Sequence, residues 1–351
     1  MAVILAVQQG TATLSTTTLR ADVPLLTVDT SKTFCTAAWV GGDNAEGSQS
    51  YPLIQLYDAN SLAIIRKDSG NALIVGWYVI EFSAGAVVYH NTAFHSAGTS
   101  TFLLPTVVDT TNAFLATSYY QTEADYNLRS LVHFSFLGPS SVQTVSVGVA
   151  TTSNLLGFQT VELTGVRIQS GKLRLATGTT ENVVALTEVD TSATSILSTQ
   201  VGDDNDASEL GLRLLLINGT TLHISRFDVG PAVETSWFVI EHTDGTVVQS
   251  GTARILSTAG SDQTIVEVDT TRSVSWYSGH NQGGGQYQVS NISDEFRQMM
   301  GYSRLTSPTN LFCDTAVGTS NFAWFVTQYN TAGQAVVVTA GDDASFVFAS
   351  W

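Results

Sequence analysis

Charge is scarce in this chain of 351 residues. Charged side chains make up 13%, about half of the roughly 25% usual in soluble domains. The shortage is greatest on the basic side, where 14 Lys and Arg against 30 Asp and Glu leave a formal charge of minus 16. Such a balance repels phosphate backbones at long range and offers no basic stripe to neutralise them, which excludes nucleic acid as a partner. Long hydrophobic runs are absent too. None approaches the ~20 apolar residues of a bilayer span, so no membrane partner is expected. The opening stretch from Met1 to Gln9 has no basic segment and only a short apolar run, unlike a secretory leader. Cysteine occurs twice, at Cys35 and Cys313, too few for a disulfide framework. Two buried free thiols are the favoured expectation, with a single bridge as the other.

What the chain does have is repetition. Val-Asp-Thr appears at Val28, Val108, Val189 and Val268, in steps of 80, 81 and 79 residues. A second marker keeps the same beat: Gly76-Trp77-Tyr78-Val79-Ile80-Glu81-Phe82, then the stretches starting at Gly157, Ser236 and Ala323. Its aromatic falls 49, 50, 48 and 56 residues after the valine. Two markers in one phase, four times over, mean a duplicated structural unit. A third signal, Val7-Gln8-Gln9-Gly10-Thr11-Ala12-Thr13-Leu14, returns as Val248-Gln249-Ser250-Gly251-Thr252-Ala253-Arg254-Ile255 and opens the unit. The phase predicts four units of about 80 residues, near 7–87, 88–167, 168–247 and 248–338. Units one and three are the most alike, as a duplication of a duplication would leave them. The favoured grouping is two superdomains, 1–167 and 168–351.

Within each unit the segments are short, rich in Val, Ile, Thr and aromatics, and bounded by Gly, Asn, Asp and Ser, which is the strand signature. The fold class expected is all-β, tandem antiparallel β-sandwich repeats. Leu214 to Ile224 reads as a hairpin with a type I′ turn at Asn218-Gly219, and Asp58 to Ser61 takes the same place in unit one. One helix is expected at 293–300, with Ser293 as N-cap, acids in its first turn and Gly301 after its last. It falls in the longer fourth unit as an insertion.

Alternation along the second marker puts Trp77, Val79 and Glu81 on one face and Tyr78, Ile80 and Phe82 on the other, both apolar. A carboxylate so placed needs a partner. The constant spacing suggests Arg66 for Glu81 and Arg226 for Glu241, as structural ion pairs. Glycosidase chemistry would need two carboxyls facing one cleft, and equivalent glutamates in separate units do not converge, so no catalytic residues are assigned. Asp29, Asp109, Asp190 and Asp269 suit Asx-type capping of the local backbone. Asp203, Asp204 and Asp206 are the best candidates for a calcium ion, but they lack the full loop spacing and the terminal bidentate acid. No metal or cofactor is expected. The six histidines follow no zinc spacing. Divergence from the repeat singles out unit four, where Trp276, Tyr277, His280, Asn281 and Tyr287 could stack on and hydrogen-bond a glycan or dock another subunit.

The stretch Val28-Asp29-Thr30-Ser31-Lys32-Thr33-Phe34, followed by Trp77 to Phe82, resembles tandem β modules of virion-associated proteins of tailed bacteriophages. The likeness covers units one and three well, units two and four partly, and carries no catalytic residues. It implies a non-enzymatic structural protein of the particle, a capsid decoration, fibre or tail component. Its partners would be other virion proteins and itself, as a homo-oligomer. Synthesis in the host cytoplasm and release at lysis fit the missing leader. The alternative from another class is a carbohydrate-binding adhesin module that recognises a glycan of the host surface.

Overall fold

The computed structural model describes residues 2–41, 47–96, 98–120, 131–147, 154–202, 207–255, 260–282, 301–315, 319–330 and 338–339. The first unit holds β1 (Val3–Leu14), β2 (Arg20–Pro24), β3 (Thr33–Gly41), β4 (Leu53–Asp58), β5 (Ser61–Ile65) and β6 (Leu73–Ala84). The second holds β7 (Ala86–His95), β8 (Gly98–Leu103), β9 (Ala113–Tyr120), β10 (His133–Gly138), β11 (Ser141–Ser146) and β12 (Asn154–Leu163). The third holds β13 (Val166–Leu175), β14 (Glu181–Ala185), β15 (Thr194–Gly202), β16 (Arg213–Asn218), β17 (Thr221–Ser225) and β18 (Val233–His242). The fourth holds β19 (Val247–Ile255), β20 (Ser261–Thr264), β21 (Ser273–Gln282), β22 (Gly301–Ser307), β23 (Asn310–Thr315) and β24 (Thr319–Gln328).

Every unit has the same topology. Its first, sixth and third strands form one antiparallel sheet, in that order, and its second, fifth and fourth strands form the other. A two-residue strand β25 (Val338–Thr339) adds in parallel to β1. The fold is thus all-β, tandem antiparallel sandwiches, and the units start within a few residues of where the repeat phase puts them. Alternation works as expected: in unit one Val75, Trp77 and Val79 face the second sheet, in a core with Leu14, Cys35, Leu62 and Ile64. Tyr78, Ile80 and Phe82 face a separate core to which all four units contribute.

The markers prove to be bonded to one another. The valine N–H of each Val-Asp-Thr reaches the turn of its own hairpin, at Ala59, Pro139, Gly219 and Pro308, each 2.8 Å. The aspartate side chain then accepts the N–H and hydroxyl two residues on, at Ser31, Thr111, Ser192 and Thr271. This is the Asx capping that the sequence predicts. The hairpin turn itself differs from expectation. Asn218 pairs with Thr221, so the turn residues are Gly219 and Thr220, and Gly219 is not among the glycines of positive φ. A type I′ turn needs positive φ at both central residues. The turn is closed instead by Asn218 Oδ1 accepting the N–H of Thr220, as Asp58 does for Asn60.

The units close into a ring. The fourth strand of each unit lies against the third and sixth strands of the next: β4 on β9 and β12, β10 on β15 and β18, β16 on β21 and β24, and β22 back on β3 and β6. The position between residues 167 and 168 lies at the start of β13, at one of these four similar joints. Small residues before the marker aromatic make room for the crossing strand. A Cβ on Gly76 would meet Tyr302 and one on Gly157 would meet Leu53, at 2.2 and 2.5 Å, while the Ser236 hydroxyl hydrogen-bonds His133 Nε2 instead.

Three joints share a clasp. A hydroxyl on the third strand bonds both the N–H and the C=O of the preceding unit's fourth strand: Ser118 on Ile54, Thr199 on Phe134 and Ser278 on Leu214. These side chains cap strand edges that would otherwise present unpaired backbone groups. At the closing joint Ala38 holds that position. There Tyr78 Oη bonds Ser275 and accepts the Leu305 N–H, and Val7 N–H reaches Thr271 O. Phe34 stacks on Trp276, with centroids 6.2 Å apart.

Candidate functional site

In each inner sheet the third strand is an edge strand, and the ring turns these four edges toward one axis. Toward the Val-Asp-Thr end the axis is filled by Phe34, Phe114 and Trp276. Toward the other end it opens into a cavity of about 190 Å³, lined by all four units, among them Thr36, Trp39, Thr117, Ser198, Trp276 and Tyr277. An adjoining cavity of about 210 Å³ shares Trp39, Thr117, Ser198, Thr199 and Tyr277 with it and adds Tyr51, Tyr119 and Gln200. Among the described residues no Asp, Glu, Lys, Arg or His lines either. Burial pushes the Tyr277 phenol up to about 12 and the Tyr51 phenol well above its ordinary value, so both remain neutral donors at any physiological pH.

The residues singled out in unit four meet different fates. Trp276 is 7% exposed, and its indole N–H donates to Thr327 at 3.1 Å. It is therefore core and cavity wall rather than the exposed stacking platform expected from its neighbours. Tyr277 also lines the cavity and meets Phe322 edge-on. His280 and Asn281 lie on β21 opposite Asn321 and Ser320, at the same end of the ring. Their side chains, the whole of Tyr287 and the helix expected at 293–300 lie outside the described residues, as do Asp203, Asp204 and Asp206. Among the described residues no group of His, Cys, Asp and Glu is arranged to hold a metal ion.

The expected ion pairs are corrected. Arg66 donates to the backbone carbonyls of Ser15, Thr18, Gln49 and Asn71, beside the start of β6. Arg226 likewise donates to the carbonyls of Ala176, Thr179, Glu209, Gly230 and Pro231, beside the start of β18. Glu81 and Glu241 sit near the far ends of those strands, about 26 Å away at the ~3.3 Å rise of a strand. Constant spacing put an Arg and a Glu in units one and three but could not say at which end of the sandwich each lies. Glu81 accepts the N–H of Asp29 at 2.7 Å, and Glu241 that of Asp190 at 2.8 Å. Glu241 also pairs with Arg167 at 2.6 Å, a partner that lies on the neighbouring strand directly opposite. Burial pushes the Glu81 carboxyl up, with the Asp29 N–H opposing. Both cysteines are buried free thiols.

No protein-family model matches the chain, and neither does any curated protein sequence. Among the described residues no helix is long and apolar enough to cross a membrane.

The two ends of the ring differ. One carries the ends of the third strands, at Gly41, Tyr120, Gly202 and Gln282. The other carries the hairpin turns, where one position beside the turn exposes an apolar side chain in three units: Tyr57 60%, Leu137 58% and Ile217 57%. Leu26, Leu103, Val107 and Val266 are exposed next to those turns, while Leu19, Ile74, Phe94, Val147 and Val229 are exposed near the opposite strand ends. Periodicity could have found this set, because Tyr57, Leu137 and Ile217 each precede the last residue of their strand, yet a lone apolar residue beside a turn carries no signal by itself.

Proposed function

We propose that the chain is a non-enzymatic structural protein of a tailed-bacteriophage particle, a decoration, fibre or tail component that acts through protein–protein assembly. The observation that carries this reading is the apolar end of the ring. Every unit contributes an exposed apolar side chain beside its hairpin turn, and apolar side chains repeated around one end offer an interaction surface. The occupant is another virion protein or a second copy of the chain. The repeated markers are spent on holding the frame, which suits a module whose task is to be rigid. The resemblance of the opening and exit motifs to virion-associated proteins points the same way.

Light scattering of the purified chain, with negative-stain imaging of whatever forms, tests the reading. Defined oligomers or a fixed place on a particle are expected, and Leu137→Glu with Ile217→Glu should abolish them while leaving the unfolding midpoint unchanged. A chain that stays monomeric and joins no particle, or whose association ignores both charges, contradicts it. The second reading, a module that binds a carbohydrate of the host surface, is favoured by the aromatic cavity on the axis, whose described lining carries no charge.

A further inference from the structure

We propose that the axial cavity binds one uncharged, polyhydroxylated ring the size of a single sugar unit. The argument starts from the backbone. In an antiparallel edge strand, alternate residues turn both N–H and C=O away from the partner strand. Cys35 is such a residue, because its N–H and C=O are taken by the side-chain amide of Gln159 from the next unit, each at 2.8 Å. Two residues on, Ala37 has the same orientation. Thr117, Ser198 and Tyr277 are its equivalents, each opposite the marker aromatic of its own unit. All four line the cavity, so the backbone groups of four strand edges point at one space.

Buried backbone donors and acceptors require partners. Gln159 supplies them at Cys35, and the hydroxyl clasps supply them on the fourth strands. For the edge of Ala37, Thr117, Ser198 and Tyr277 no such side chain is present among the described residues. The hydroxyls of Thr36, Thr117 and Ser198 also meet no partner among these residues, and the buried indole N–H of Trp39 is likewise unpartnered. The lining therefore offers donors and acceptors in alternation beside the aromatic side chains of Trp39, Trp276 and Tyr277. Among the described residues it offers no charge. That combination selects a neutral ligand with hydroxyls around its rim and C–H groups on its face, which is a pyranose. A volume of about 190 Å³ is below the ~300 Å³ at which pockets for drug-sized ligands begin, so one ring fits.

This inference goes beyond the assembly reading and does not depend on it. The test is titration of the full chain with glucose, galactose, mannose and N-acetylglucosamine, followed by saturation-transfer NMR and tryptophan fluorescence, with light scattering on the same samples. At least one sugar is expected to saturate, and Thr117→Leu or Ser198→Leu to weaken it tenfold or more without changing the oligomeric state. Two variants at different units guard against one that fails to fold, and a crystal soaked with the binding sugar should show it on the axis. Saturation by none of the four, binding that survives both substitutions, or density away from the axis would each overturn the proposal.

Discussion

The Glu81 carboxylate accepts the backbone N–H of Asp29 at 2.7 Å, and this one contact joins the two motifs by which the repeat is recognised. Glu162 takes the same N–H of Asp109 at 3.4 Å, Glu241 that of Asp190 at 2.8 Å, and Gln328 that of Asp269 at 2.8 Å. What the position needs is an acceptor oxygen rather than a charge, since Gln serves in the fourth unit. Glu81→Gln should therefore leave stability within about 0.5 kcal/mol, while Glu81→Ala, which strands a partly buried N–H, should cost roughly 1–3 kcal/mol. Urea unfolding of both variants makes the comparison.

Gly171 lies opposite Trp237, and a Cβ there would come within 2.7 Å of the indole. Gly10 and Gly251 stand in the same relation to Trp77 and Trp324. In the second unit the pair is Asn91 and Phe158: the glycine is gone where the indole is gone. Gly171→Asn alone should destabilise by roughly 1–3 kcal/mol through overpacking. Adding Trp237→Phe should recover most of that loss. A double-mutant cycle by denaturant melts reads the coupling, and additive losses would contradict it.

The strands, their four-unit grouping and the two faces of the marker strand were legible because period-2 alternation and repeat phase act over short distances. Trp77 and Tyr78 point to opposite cores, as their spacing requires. The Arg66 and Glu81 pairing failed because spacing along the chain does not reveal which end of a sandwich a residue occupies. Ring closure was hidden for a related reason. Its signal is a set of small residues, Gly76, Gly157, Ser236 and Ala323, whose purpose appears only when the preceding unit's fourth strand crosses them. Trp276 looked like a surface platform beside Asn, Gln and His, but its face belongs to the axis and its neighbour is Phe34.

Thr199 clasps both backbone groups of Phe134, at 2.9 and 3.2 Å. Thr199→Val keeps the volume and removes the hydroxyl, leaving the strand edge at that joint without its partner. A loss of roughly 1–3 kcal/mol is expected, with faster amide exchange at Phe134 than in the parent. Exchange unchanged at Phe134 would mean that the clasp is incidental.

His133 and His242 are buried, and burial pulls both imidazoles down to about 4. Their folded pKa lies below the unfolded value near 6.5, so the unfolded state binds more protons between those limits. Stability should be full above about pH 6.5 and fall steadily toward pH 4, by on the order of 2–3 kcal/mol for each histidine. Glu81, shifted upward by burial, acts in the opposite sense at the acid end. His133→Gln should flatten the slope of the melting temperature between pH 6.5 and 4; an unchanged slope would exclude His133 as its source.

Closure of the four units into one ring is the claim on which the axial cavity and the two distinct ends both depend. Small-angle X-ray scattering on the monomeric fraction tests it directly. A compact body of this length should give a radius of gyration near 20 Å, from the usual scaling with chain length, and Val7→Pro, which removes the N–H bonded to Thr271 at the closing joint, should raise it. A radius well above that value in the parent chain, with the scattering of a row of four separate modules, would contradict the ring.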